Sequence, residues 1–245
     1  MSGDDATKIS AQFNTTHWSV VLLAGAPSSP ASVAALEKLC RAYWPPVYFF
    51  ARRKGCNDAD AKDFTQQFFS LLLARNDFAG LDARKGKFRT FLLAAFSHFL
   101  ANEHDRATAL KRGGGKMILP LDELADDQLA QFAAAENVSP AKSFDKHWAL
   151  TVLAQSLAAL KAEMLCAGKG SQFDLLKTFL TVDGDAASYA DIAQKIGVAE
   201  VSLPVVVHRL RQRYRELVRA ELAQTVSTPA DLDAELRHLF AVLNE

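Results

Sequence analysis

Between Ala61 and Leu72 the apolar residues Ala61, Phe64, Phe68, Leu71 and Leu72 fall at i, i+3, i+7, i+10 and i+11, a spacing that suits one face of a helix and no strand. The polar residues Asp60, Asp63, Gln66 and Gln67 interleave on the other side. The period returns at Phe88, Phe91, Leu92, Ala95, Phe96, Phe99 and Leu100, and again at Leu232, Leu236, Leu239, Phe240 and Leu243. Runs of Val, Ile and Thr are few, while Ala and Leu dominate. The expected fold class is all-α, with two helical domains joined by an acidic linker.

With only 12 Gly and 8 Pro in 245 residues, each cluster of them reads as punctuation. Gly25–Pro30 is a turn. A helix over Ser32–Tyr43 is expected to stop at Pro45-Pro46, and a second, Val47–Lys54, to end at Gly55. Asn57 or Asp58 caps the next helix, which runs to about Arg75. The helix from Phe88 continues toward Arg112 and stops at Gly113-Gly114-Gly115. A second helical block starts near Phe144 and carries Trp148, Val152, Leu153, Leu157 and Leu160. The expected organisation is an extension over 1–29, a helical domain over 30–116, a linker over 117–143, a second domain over 144–224 and an amphipathic C-terminal helix over 225–245. That last helix either docks on its own domain or offers a protein-binding surface.

The net charge is zero, but the charges are segregated. Arg84–Lys116 holds eight basic residues against Glu103 and Asp105; Leu121–Glu136 holds five acidic residues and no basic one; Val205–Leu222 holds five Arg against two Glu. Attraction to phosphate depends on such local charge.

Tyr189–Val206 carries the most specific local pattern. Ala193 is small where two short helices would cross. Gly197, four residues on, supplies a turn at positive φ. Ile192, Ile196, Val198, Leu203 and Val206 are placed to seal the angle between the helices, and Ser188 is placed to cap the first. This is the spacing of a helix-turn-helix, whose second helix would lie in a major groove. Pro204 is tolerated if that helix starts late, with Ser202 as its cap. Ser202, His208, Arg209 and Gln212 are then candidates for base contact, with Arg213 beside them. Arg209, Arg211, Arg213 and Arg215 cannot share one face, so some must be solvated or paired with Glu216. In the first block, Arg84, Lys85 and Lys87 next to Phe88 and Arg89 offer charge and aromatic surface for an unstacked base, although Phe91, Phe96 and Phe99 read as core. Arg106, Lys111 and Arg112 are placed to follow phosphates.

In order and spacing, these segments resemble the extracytoplasmic-function group of bacterial sigma factors, over about residues 30–116 and 146–222. Asp60-Ala61-Lys62-Asp63-Phe64-Thr65-Gln66-Gln67-Phe68-Phe69 is similar to that family's second conserved helix. The resemblance implies that Asp60, Asp63, Phe64, Gln66 and Gln67 meet the polymerase clamp. Phe88-Arg89-Thr90-Phe91-Leu92 and the helix after it are similar to the stretch that carries −10 recognition, with His98 and Asn102 on the same helix. Ser188–Arg215 is similar to the −35-reading domain. The chain departs from the family where it has Pro204 in place of a common Lys or Arg, and His98 in place of a common Asn. The implied partners are bacterial RNA polymerase core, promoter DNA and an anti-sigma regulator.

Enzyme chemistry is not expected. Arg112-Gly113-Gly114-Gly115-Lys116 lacks the order of a phosphate loop, the six His never stand in a metal-binding motif, and Cys40, Cys56 and Cys166 have no ligand spacing. No cofactor, metal or small-molecule substrate is expected. Odd, scattered cysteines and an N-terminus without an apolar signal core point to the cytoplasm, and no uninterrupted apolar run approaches the ~20 residues of a membrane span. Two other functions fit the same sequence: a stand-alone helix-turn-helix regulator, and a helical protein-interaction module.

Overall fold

The structure, a computed structural model, describes residues 30–75, 87–110, 139–180, 186–226 and 228–244. These residues form eight α-helices and two short 3-10 turns, with no strand among them. The helices are α1 (Pro30–Arg53), α2 (Asp58–Arg75), α3 (Phe88–Leu110), α4 (Pro140–Cys166), α5 (Gly170–Leu176), α6 (Ala186–Ile196), α7 (Leu203–Ala223) and α8 (Pro229–Leu243). The 3-10 turns are Lys177–Leu180 and Glu200–Ser202. The expectations for residues 1–29, for Gly113–Gly115 and for the acidic Leu121–Glu136 stretch lie outside the described residues.

By internal contacts the chain divides into Met1–Thr151 with Leu222–Glu245, and Val152–Glu221. Residues 144–151 and α8 therefore group with the first helical block, whereas the sequence had suggested a domain over 144–224.

In the first unit, α1 corrects an expectation. It passes through Pro45 and Pro46 as one helix of 24 residues. The prolines remove two N–H donors. The buried series Leu39, Tyr43, Val47, Phe50 and Ala51 nevertheless keeps a helical period across them, so packing on both sides holds the helix together. In α2 the Asn57 side chain accepts the Asp60 N–H at 2.8 Å, a regular N-cap. The buried face of α2 is Ala61, Thr65, Phe68, Phe69 and Leu72. Thr65 joins it because its hydroxyl donates to the Ala61 carbonyl at 2.7 Å and brings no unpaired polar group inside. α3 buries Phe88, Leu92 and Phe96. Edge-to-face rings join the helices: Tyr43 with Phe88 at 4.9 Å, Phe50 with Phe96 at 5.9 Å and Phe68 with Phe96 at 5.0 Å. Phe144 packs its ring perpendicular to Phe50, and Thr228 caps α8 by accepting the Asp231 N–H.

α8 lies within the expected 225–245 segment, starting at Pro229, but is rotated from its predicted face. Leu232, Glu235 and Leu239 are buried, while Phe240 and Leu243 are exposed. The buried Glu235 carboxylate is met by Lys87 at 2.9 Å and by Arg89 at 3.2 Å, and Asp145 takes the remaining arm of Arg89. The Arg89 guanidinium also lies 5.0 Å from the Trp148 ring, and His238 stands 3.2 Å from Asp145. Burial works against the Arg89 charge, but the hydrogen bonds to Glu235 outweigh it and hold the guanidinium above its ordinary pKa.

In the second unit, Leu160, Phe173, Leu176, Phe179, Ala193, Leu203, Val207 and Leu210 form one core, with Tyr189, Ile192, Ile196, Val198 and Val206 packed against it. Tyr214 donates to the Leu153 carbonyl at 3.0 Å. α4 is the one described helix with the length and hydropathy of a membrane crossing, at a mean hydropathy of 1.3. It carries Asp145 and Lys146 near its start and Lys161 and Glu163 toward its end.

Candidate nucleic-acid interface

The candidate surface is the outer side of α7, and its position follows from the turn before it. Gly197 has φ +73°, a conformation that costs an L-residue its Cβ clearance. The Val198 N–H reaches the Ala193 carbonyl at 3.0 Å and the Gly197 N–H reaches Gln194 at 3.3 Å. This pair of bonds closes α6 as a Schellman end and reverses the chain. Ala193 is buried in the core cluster that also holds Leu203 and Val207 of α7. α7 begins at Leu203, so Pro204 stands in the first turn, where its missing N–H breaks no helical bond. Ser188, expected to cap α6, lies inside it, because the helix starts at Ala186.

Leu203, Val207 and Leu210 turn α7 inward. Val201, Ser202, Pro204, Val205, His208, Arg209, Gln212 and Arg215 are exposed. The four arginines sort as helical geometry demands. Arg211 is half-buried and its Nε donates to the Phe179 carbonyl at 2.6 Å. Arg213 makes two hydrogen bonds to Glu163, at 2.9 and 2.6 Å, and one to Glu216 at 2.8 Å. Those bonds hold the Arg213 proton more tightly than usual, and the Arg213 hydrogen bond holds the Glu163 carboxyl below the usual range. Arg213, expected at DNA, is thus an ion-pair residue of its own unit. Among the described residues, Arg209 and Arg215 have no ion-pair partner.

The first unit brings together only part of what the sequence suggested. His98, Asn102 and Arg106 are exposed one turn apart on α3, with Arg106 paired to Glu103 at 2.6 Å. Phe88 is wholly buried against Tyr43, and Arg89 and Lys87 are engaged by Glu235. The aromatic surface expected at Phe88 and the available charge expected at Arg89 are therefore corrected: both side chains hold the fold. Arg84, Lys85, Lys111 and Arg112 lie outside the described residues. On α2, Asp60, Asp63 and Gln67 are exposed at i, i+3 and i+7, while Phe64 and Gln66 are half-buried at the edge of that face. The Phe64 ring leans on Phe99 with centroids 6.4 Å apart.

Two surface residues escaped the sequence reading. Val201 and Val205 are large apolar side chains left in solvent at the leading end of α7. The signal was available for Val205, which precedes His208, Arg209 and Gln212 at i, i+3, i+4 and i+7 on one helical stripe, while Val201 stands in the 3-10 turn before the helix.

No family model, no curated protein and no solved structure matches this chain.

Proposed function

We propose that this protein is a promoter-selecting subunit of bacterial RNA polymerase, a non-enzymatic cytoplasmic factor of the extracytoplasmic-function sigma type. The observation that carries this reading is the outer stripe of α7, where His208, Arg209 and Gln212 face solvent while Leu203, Val207 and Leu210 anchor the opposite side in the core. In this reading α6, the Gly197 turn and α7 work as a helix-turn-helix that places the stripe in a major groove. Arg209 and Arg215 supply charge for phosphates, and His208 and Gln212 supply donors for base edges.

The exposed α3 residues His98, Asn102 and Arg106 support a second contact, at the −10 region. The exposed carboxylates of α2, Asp60 and Asp63, with Gln67 beside them, support docking on the polymerase core. Glu235 is assigned the role of holding Lys87 and Arg89 inside the first unit, so neither is counted among the DNA contacts.

Tagged full-length chain mixed with purified bacterial core polymerase tests the reading. The expected result is a one-to-one complex that Asp60→Arg/Asp63→Arg weakens while helix content by circular dichroism stays unchanged. Absence of any complex, with a stable homodimer protecting a palindrome instead, would favour a stand-alone regulator.

A further inference from the structure

We infer that the leading end of α7 reads the 5-methyl groups of thymine in the major groove. The inference rests on the DNA-binding reading above and gives that surface a ligand chemistry.

Val201 is 85% exposed and Val205 50% exposed, in a unit that buries Val207, Leu203 and Leu210 almost completely. Val205 lies one turn before Arg209 on α7 with exposed Pro204 beside it, and Val201 and Ser202 stand in the 3-10 turn that leads into the helix. The stripe is therefore graded: apolar at its leading end, then imidazole, guanidinium and amide, then Arg215 one turn further. The patch has exposed Glu200 before it and Arg209 one turn after Val205, and among the described residues Arg209 has no ion-pair partner, so the cationic side suits a polyanion whose interior offers something apolar. Duplex DNA meets both requirements, because the phosphates line the groove and the thymine methyl is the main apolar group on its floor. A membrane surface would call for a broader apolar face than two valines and a proline. A protein partner becomes an outcome of the test.

The probe is a pool of random duplexes captured by the full-length chain, alone and with bacterial core polymerase. The enriched sequence is expected to hold thymine at adjacent positions. Replacing those thymines by deoxyuridine removes only the methyls and should weaken binding about fourfold for each, the value of one buried methylene. Val205→Ala should cost a similar factor on thymine DNA and nothing further on deoxyuridine DNA. Val205 is exposed, so the variant folds, and near-unchanged thermal melting is the check. If Arg209→Ala weakens binding but deoxyuridine does not, the methyl inference fails and the DNA-binding reading stands. If no duplex is retained with or without polymerase, both fail. If Val205→Ala changes polymerase capture and not DNA affinity, the patch is a protein contact and the inference is overturned.

Discussion

Gly197 illustrates what single residues do in this molecule. A Cβ built there meets nothing within 4 Å, so the whole cost of a side chain is the left-handed backbone. Gly197→Ala should lower stability by about 1 kcal/mol, and Gly197→Asn by less, in urea denaturation. An unchanged midpoint for the alanine variant would show that the turn tolerates another conformation. Cys40 is governed by burial, which with the nearby Glu37 pushes its thiol from an ordinary 9.0 up to about 12. The folded state thus favours the neutral thiol. Its contribution is complete below about pH 9 and is lost as pH rises from there toward 12, where the unfolded chain ionises first. At pH 8 iodoacetamide should modify exposed Cys166 well before Cys40. Equal rates would contradict the packing around α1. These residue-level features were unevenly legible. Gly197 declared itself through its distance from Ala193, whereas Arg89 looked like a free cation because Glu235 lies 146 residues away in sequence.

At the scale of elements, two helices turn out differently from their sequence periodicity, and for one reason. Counting apolar residues puts Phe64 and Leu71 inside α2 and Leu236 inside α8. The structure prefers Thr65 and Glu235, polar groups whose partners neutralise the cost of burial. Periodicity sees hydrophobicity but not satisfaction of hydrogen bonds, so it found the helices and missed where each buried face is centred. The Pro45-Pro46 pair misleads in the same way: local rules predict a break, and the buried residues on both sides override them. Glu235→Ala should cost about 3 kcal/mol, because Arg89 and Lys87 lose their buried counter-charge while Asp145 still faces Arg89. Chemical denaturation measures this, and a loss below about 0.5 kcal/mol would show that α8 is not held by the cluster. On α7, Arg209→Ala should lower the salt slope of DNA binding by about one and Arg213→Ala should leave it unchanged, since Arg213 already serves Glu163 and Glu216. The reverse order would move the contact face to the other side of the helix.

At the scale of the molecule, the all-helical architecture and the positions of most helices could be read from apolar spacing and Gly and Pro punctuation. The grouping of α8 with the first block could not, because it depends on Lys87, Arg89 and Asp145 meeting residues far along the chain. Of the surfaces suggested by sequence, the α2 carboxylates and the α7 stripe are exposed as a binding role requires, and the Phe88–Arg89 surface is not. The central claim is that this chain confers promoter choice on a polymerase that lacks it. The direct measurement is transcription in vitro from fragmented DNA of the source genome by bacterial core polymerase, with and without the full-length protein. The account predicts transcripts starting at discrete positions only when the protein is present, and their loss with Arg209→Ala. Identical transcript profiles with and without it would contradict the account.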